Sequence, residues 1–308
     1  GVASLPYHHP LMVANRMVLL DHLTRGRVML GVGPGALVSD AYQLGIDPPT
    51  QRPRMDESIG IIKRLLTESN PITYKSDWFT LNEALLHLRP YTQPHFPIAV
   101  AAAQSPSGMV AAGKHGLGVL SVSVVRGGSI SSNLGDFWNI AEETAESYGQ
   151  TVDRKEWRIV LHVHLAESRK EAMEQVRERS AAYQYDYFHQ TMGMPFEYDG
   201  PREKIADYMV ANGAWCVGTP DDLIAKIKEL DEQSGGFGGF MIQATEWGTR
   251  EQVRHSYELI ARYVMPHFQG SLTNLQISQK WSEEHRDELQ SLKTVSIDKA
   301  ISDYRETK

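Results

Sequence analysis

The sequence has little of what would place it in several common functional classes. It contains one cysteine, Cys216, which excludes an internal disulfide or a cysteine-rich metal site and is expected to be a small buried apolar residue. No apolar run approaches the roughly 20 residues that a membrane-spanning helix needs. The net charge of −7 argues against a surface that binds nucleic acid. We therefore expect a cytoplasmic protein that acts on neither nucleic acid nor membranes.

Two patterns come close to known ligand sites without completing them. The glycine run at 235–239 lacks the Lys-Ser/Thr ending of a phosphate-binding P-loop. His162 and His164 lie two apart on one face of a predicted strand, a spacing that can hold a metal. No third ligand with motif spacing accompanies them, so packing or substrate contact is the favoured role. We expect no metal site.

Short apolar runs alternate with helical patterns along most of the 308 residues, which predicts parallel strand–helix units. The predicted strands, adjacent and parallel in this order, are 27–33, 97–103, 117–123, 158–166 and 240–244. The aromatic residues of 74–81 predict a small hairpin, with a surface loop as the alternative. Residues 271–308 change to mixed charge and predict a helical tail, with disorder as the alternative. This pattern is typical of an α/β barrel.

Two segments follow predicted strands at positions where α/β proteins bind ligands. Gly31, Gly33 and Gly35 remove side chains where the first strand ends. Ser105-Pro-Ser107 follows the next strand and opens a helix, whose free N–H groups and dipole favour an anion. An ordinary strand exit and an ordinary serine cap are the plain alternatives. The flexible residues 126–133 either close over a ligand or are disordered.

Several segments, in order and spacing, resemble the bacterial luciferase-like flavin monooxygenases. They are LPYHHP, LDHLTRGRVMLGVGPG, RPRMDESIGIIKRLL, PIAVAAAQSPSGMVAAGKHGLGVLSVS, GTPDDLIAKIKEL and ELIARYVMPHF. The resemblance covers most of residues 1–270 and is nearest to the branch that oxidises limonene or alkanes. It implies a (β/α)8 TIM-type barrel over 1–270, with an insertion around 167–215 over the barrel mouth, and a separate tail over 271–308.

In that family, two strand–helix units and most of a third strand precede the point where this sequence starts. Gly1 to Pro6 has the pattern of the last residues of a buried strand. We therefore expect a leading segment that is absent from the sequence shown. The family also implies a homodimer, an expectation that the apolar helical faces around 12–23 support.

The resemblance implies a flavin site built from the ends of the strands. The FMN phosphate is expected at Gln104, Ser105 and Ser107, approached from Gly33 and Gly35. Many relatives carry an arginine between those two glycines, whereas this sequence has Pro34, which has neither a charge nor a donor. The flavin ring is expected against Gly33, Leu120, Ser121, Gln243 and Trp247. His9 occupies a position that is usually histidine in the family and is the candidate acid–base residue, with simple packing as the alternative.

The implied function is oxygenation of a small apolar substrate, such as a terpene, alkane or aldehyde. Reduced FMN from a separate flavin reductase reacts with O2; one oxygen atom enters the substrate and the other leaves as water. One alternative is a deazaflavin-dependent hydride transfer on the same fold. Another is a supporting or flavin-binding subunit without turnover.

Overall fold

The fold is built on one parallel sheet, and its strands are short and apolar. The structure is a computed structural model that describes residues 2–103, 105–122 and 134–307. The strands are β1 (Ala3–Ser4), β2 (Leu30–Gly33), β3 (Ile72–Lys75), β4 (Thr80–Ala84), β5 (Ile98–Ala102), β6 (Gly118–Val122), β7 (Trp157–Leu165), β8 (Trp215–Gly218) and β9 (Gly239–Gln243). Seven of them form the sheet in the order β1-β2-β5-β6-β7-β8, and β9 also pairs with β7.

Helices connect the strands and cover the sheet. They are α1 (Pro10–Thr24), α2 (Val38–Gln43), α3 (Gln51–Thr67), α4 (Ser107–His115), α5 (Leu134–Ser147), α6 (Arg169–Ala182), α7 (Ile205–Ala211), α8 (Pro220–Ser234), α9 (Arg250–Leu259), α10 (Met265–Phe268), α11 (Thr273–Glu284) and α12 (Arg286–Glu306). π-Helical segments occupy Tyr183–Thr191 and Ile260–Val264. No helix within the described residues is long and apolar enough to cross a membrane.

Local sequence explains where the helices begin and end. α8 and α9 each begin with a capping box, made by Thr219 with Asp222 and by Thr249 with Gln252. α4 ends at Gly116, whose φ of 62° is left-handed backbone that favours glycine. α1 ends at its C-cap Arg25, which adopts the left-handed conformation with a φ of 54°, directly before Gly26.

The five predicted strands are confirmed as adjacent and parallel in the predicted order, from β2 through β5, β6 and β7 to β9. The hairpin is also confirmed, as the antiparallel pair β3 and β4. β8, a four-residue strand that pairs with the carboxyl end of β7, was not predicted. The apolar run of β8 is only four residues long and is followed closely by a capped helix. Such a short run could not be distinguished from the end of the predicted insertion.

The alternation along β7 separates the two faces of the sheet. Leu161 and Val163 pack among apolar side chains of α8 and α9. His162 therefore points to the opposite face, which is the inner wall of the barrel-type sheet. Cys216, on β8, is buried as expected, and this burial raises the pKa of its thiol to about 12.

The insertion and the tail are both helical but differ in packing. In the insertion, Ala172, Val176 and Ala181 of α6 pack against Ile205 and Met209 of α7 in one apolar cluster. The tail helices α11 and α12 contain no buried residue. The proposed division of the chain at residue 270 remains a prediction.

Candidate active site

The glycine loop after β2 is held by two side chains from outside it. Gly35 has a φ of 95°, and a Cβ there would overlap the hydroxyl of Tyr7. The side-chain amide of Gln51, which is 7% exposed, donates to the Tyr7 hydroxyl and to the Pro34 carbonyl, both at 2.9 Å. The loop therefore has little freedom, and the space where a Gly35 side chain would lie is filled by Tyr7 and Gln51.

The serines after β5 come together as expected. The hydroxyl oxygens of Ser105 and Ser107 lie 2.8 Å apart. The helix that follows begins at Ser107, with Pro106 as its N-cap, and so starts two residues later than the sequence suggested. Gln104, the third residue expected here, lies outside the described residues, as do residues 126–133, expected to form a flexible loop.

An arginine that the sequence analysis did not select reaches the same place. Nε of Arg52, in the first turn of α3, donates to the Ser107 hydroxyl at 3.2 Å. The three residues line one cavity of about 500 Å³ between α3 and α4. We call Arg52, Ser105 and Ser107 the serine end of the site. Arg52 and Ser107 are 55 residues apart, across the hairpin and a strand, so no local sequence motif indicates this contact.

An ionic cluster beneath the serine end joins α3 to α4. Asp56 accepts from Lys114 Nζ at 2.6 Å and contacts His115 Nε2 at 2.8 Å. The hydrogen bond to His115 and the neighbouring lysine hold the pKa of Asp56 below its ordinary value. The carboxylate therefore stays charged at neutral pH and links the two helices that frame the cavity.

The two residues expected from β6 point in opposite directions. Leu120 lies on the inner wall, where its Cδ1 would be 3.4 Å from a Cβ built on Gly31. The Ser121 hydroxyl instead accepts from the indole nitrogen of Trp157 at 2.8 Å and is buried on the helix-facing side. The side chain of Ser121 is therefore directed away from the inner wall, leaving only its backbone near a ligand.

A second polar group lies on the inner wall, at β7 and β9. His162 and Gln243 are paired residues of the two strands. Nε2 of Gln243 donates to the Tyr183 hydroxyl at 2.9 Å, and Nε2 of His162 lies 3.1 Å from the same oxygen. Burial raises the pKa of Tyr183 to about 12, so the phenol stays protonated at neutral pH. Tyr183 begins the first π-helical segment, a feature frequent at functional sites.

Trp247 packs behind this polar group. Its ring stacks on His162 with centroids 5.4 Å apart and an interplanar angle of 6°. The ring centroids of Trp247 and Trp215 are 4.3 Å apart. Trp247 is 2% exposed, and its indole nitrogen has no hydrogen-bond partner among the described residues. Trp247 is thus packed against the other side chains of this group and exposes little surface to a flavin ring. We call His162, Tyr183, Gln243 and Trp247 the aromatic end of the site.

Two further histidines considered in the sequence, His9 and His164, have contacts of their own. His9 is the N-cap of α1; its ring packs edge-on against Phe79, and its Nε2 lies 3.4 Å from the Thr80 carbonyl. His164 is buried and bonded to Gln175 at 2.7 Å. Among the described residues, no group of three or more histidines, cysteines or carboxylates could hold a metal ion.

Comparison with known proteins identifies the family. Residues 1–236 match the family described as Luciferase-like monooxygenase. The chain belongs to the luciferase-like monooxygenase family. The fold class and the enzyme class expected from the sequence are thereby confirmed: a flavin-type monooxygenase on a parallel α/β barrel-type sheet.

Two relatives that resemble most of the chain are named as monooxygenases. The chain is 41% identical over 285 residues to 4-hydroxyprotoasukamycin monooxygenase of Streptomyces nodosus subsp. asukaensis, covering 92% of this chain and 77% of that protein. It is 43% identical over 273 residues to limonene 1,2-monooxygenase of Rhodococcus erythropolis, covering 88% and 69%.

A solved structure supports the fold at lower identity. The oxygenating constituent of 3,6-diketocamphane monooxygenase of Pseudomonas putida, solved in complex with FMN, superposes with a TM-score of 0.67 and 23% identity. The match covers 86% of this chain and 78% of that one.

Proposed function

We propose that this protein is an FMN-dependent monooxygenase that uses reduced FMN and O2 to oxygenate a small apolar substrate such as a terpene, alkane or aldehyde. The observation that carries the proposal is the cavity of the serine end, with its arginine and two hydroxyls at the carboxyl end of β5. The 43% identity to limonene 1,2-monooxygenase supports the apolar substrate class.

The donors of the serine end match the chemistry of a phosphate group. Ser105 and Ser107 would hold the FMN phosphate, because their hydroxyls and the first N–H groups of α4 are hydrogen-bond donors beside a positive helix end. A Cβ at Gly33 would meet the side chain of Val2 at 3.0 Å, so Val2 fills the space beside this glycine, and Gly33 and Gly35 would face the cofactor with their backbone.

The two ends of the site are spaced for a flat ring with a side chain. Two strands, β6 and β7, separate β5 from β9. β5 and β9 are therefore three strand spacings apart. At about 4.8 Å per spacing, the carboxyl ends of β5 and β9 lie roughly 14 Å apart around the sheet. Leu120 lies between them on the inner wall and Gln243 lies at the far end, so the ring would extend from the serine end toward the aromatic end.

FMN supplies the redox chemistry when it is bound, and the protein orients the substrate and excludes water. The aromatic end fits that task, since Trp247 and Trp215 give it an apolar backing. The protonated Tyr183 phenol is a hydrogen-bond donor at neutral pH and would orient a polar atom of the substrate or cofactor. His9 is retained as a candidate acid–base residue at the periphery, in a cavity it shares with Arg54 and Trp78.

The partners follow from this chemistry. The proposed reaction needs reduced FMN, which a separate flavin reductase would supply, and the expected setting is the cytoplasm. A homodimer is supported by exposed apolar side chains on α1, including Leu19 and Leu23.

The test is oxygen uptake by the purified protein with photoreduced FMN, with limonene as the probe substrate. We expect uptake coupled to an oxygenated terpene, in excess of the uptake by free reduced FMN. Reduced deazaflavin serves as the second arm. Turnover with deazaflavin alone, without O2, would assign hydride transfer instead. Binding of flavin without turnover on limonene, long-chain alkanes or aldehydes would favour a non-catalytic subunit.

A further inference from the structure

A second cavity lies where the turn of the β3–β4 hairpin meets the beginnings of α1 and α3. Its volume is about 250 Å³, and its wall includes His8 and His9 just before α1, Arg54 in the first turn of α3, and Trp78 and Phe79 of the hairpin turn. We call it the hairpin pocket. It shares no lining residue with the cavity of the serine end. A ligand of the hairpin pocket is therefore a different one from the flavin phosphate.

Arg54 is held in this wall with an unused donor. Its Nε is buried and has no hydrogen-bond partner among the described residues, although a buried polar atom normally has one. The guanidinium lies over the Trp78 ring, with Cζ 5.3 Å from the ring centre. The Trp78 ring is fixed in turn, because its indole nitrogen donates to the Glu57 carboxylate at 2.6 Å. Arg54 is therefore a positioned cation with hydrogen-bonding capacity to spare.

The charges around Arg54 favour an anion. None of the described residues that line the hairpin pocket is acidic. The Asp77 carboxylate lies 3.9 Å from a terminal nitrogen of Arg54 and is 79% exposed, so water screens this pair. Glu57 already accepts three hydrogen bonds from side chains of the hairpin. His8 and His9 each carry at least one ring N–H, so the pocket combines a positive charge with further donors.

The rest of the wall is apolar and limits the size of a ligand. Phe79 is 7% exposed and packs edge-on against the His9 ring, and Ile46 adds an aliphatic side chain. The volume of about 250 Å³ is below the roughly 300–1,000 Å³ of sites for drug-sized ligands. An arginine pairs well with a carboxylate, and aromatic walls suit an apolar body. These features together favour a small carboxylate with an apolar body.

We propose that the hairpin pocket is a binding site for a small carboxylate with an apolar body, such as an aromatic acid, separate from the serine end and the aromatic end. Arg54 holds the carboxylate, His8 and His9 donate to it from the side of α1, and Trp78 and Phe79 contact the apolar body. The positive end of the α1 dipole adds to the attraction. The site needs no flavin, so it does not depend on the proposed function.

The test is a calorimetric titration of the full chain with benzoate. Benzyl alcohol is the matched ligand without the charge, and inorganic phosphate is the anion without an apolar body. We expect benzoate to bind on the order of tenfold more tightly than either, because benzyl alcohol loses the contact with a charged group and phosphate loses the apolar contact. Equal binding of benzoate and either of the other two ligands, or no binding of benzoate, would overturn the proposal.

Variants of three arginines locate the carboxylate. Arg54→Gln should weaken benzoate binding on the order of tenfold or more, and Arg54→Lys should recover part of the loss, because it keeps the charge without the fork. Arg64→Gln, in the last turn of the same helix, is the matched control and should not alter the affinity. Arg52→Gln should not alter it either, because Arg52 lines the other cavity. Weaker binding in Arg52→Gln with unchanged binding in Arg54→Gln would place the anion at the serine end and overturn the proposal.

Histidine ring resonances give a second measurement that does not require a variant. Benzoate should shift the ring signals of His8 and His9 in the original protein and leave that of His285, in the tail, unchanged. Unshifted His8 and His9 signals at saturating benzoate would overturn the proposal. This measurement decides the question even if Arg54→Gln does not fold.

Discussion

The serine end and the aromatic end lie at the same edge of the sheet but are built in different ways. The serine end is open, and polar groups of α3 and α4 meet there across a cavity. The aromatic end is dense, with Trp247 2% exposed and stacked on His162. Changes at the aromatic end should therefore affect stability strongly. Changes at the serine end should affect mainly what binds, unless they disturb the glycine loop.

The largest expected effect is that of Trp247→Ala at the aromatic end. Removing a buried indole leaves a cavity and should lower the free energy of unfolding by about 3–5 kcal/mol. Tyr187→Ala is the control in the same region, because that side chain is 45% exposed and should change stability by about 0.5 kcal/mol or less. Urea unfolding measures both. Equal, small effects would show that the aromatic end is not a packed support.

The next largest effect is expected at Gly35 of the glycine loop. Comparison with Gly45, which lies outside that loop, separates the cost of backbone strain from the cost of steric overlap. Gly35→Ala should cost more than the about 1–2 kcal/mol of left-handed backbone, because its Cβ would overlap the Tyr7 hydroxyl and lie 2.8 Å from the Gln51 amide. Gly45 has a φ of 66°, and no atom lies within 4 Å of the position of a Cβ there. Gly45→Ala should therefore lower the stability by the backbone strain alone.

Thermal unfolding compares these two variants, and FMN titration tests the link to the site. Gly35→Ala should also weaken FMN binding, since the displaced loop would move Gln51 and with it Arg52. If the two alanine variants were equally stable, the contact with Tyr7 would not hold the loop.

The smallest stability change is expected for Tyr183→Phe. Loss of the hydroxyl leaves Gln243 without an acceptor and should cost about 0.5–1.5 kcal/mol. Because burial raises the pKa of Tyr183 to about 12, the variant loses a donor and not a negative charge. FMN binding should be nearly unchanged, whereas oxygenation per O2 consumed should fall.

Tyr187→Phe is the control for this change and should preserve that ratio. If Tyr183→Phe formed as much product per O2 consumed as the original protein, the Tyr183 hydroxyl would have only a structural role.

The parallel sheet was predictable because buried apolar runs and helix caps are local signals. Ser105 and Ser107 were also found locally, since strand, proline and serine are consecutive there. Arg52 and Tyr183 were missed because each reaches its partner across a long stretch of chain, Tyr183 to Gln243 over 60 residues. Ser121 lies on β6 as predicted, but its hydroxyl faces the helices and not the inner wall. Side chains alternate between the two faces of a strand, so an error of one residue reverses the predicted direction.

The most direct test of the central claim is the fate of isotopically labelled oxygen. The protein is mixed with photoreduced FMN and limonene under 18O2, and the products are examined by mass spectrometry. We expect one labelled oxygen atom in the terpene product and the other in water, with no labelled product when the protein is omitted. A terpene product that carries unlabelled oxygen, or reduction of the substrate without oxygen uptake, would contradict the assignment as a monooxygenase.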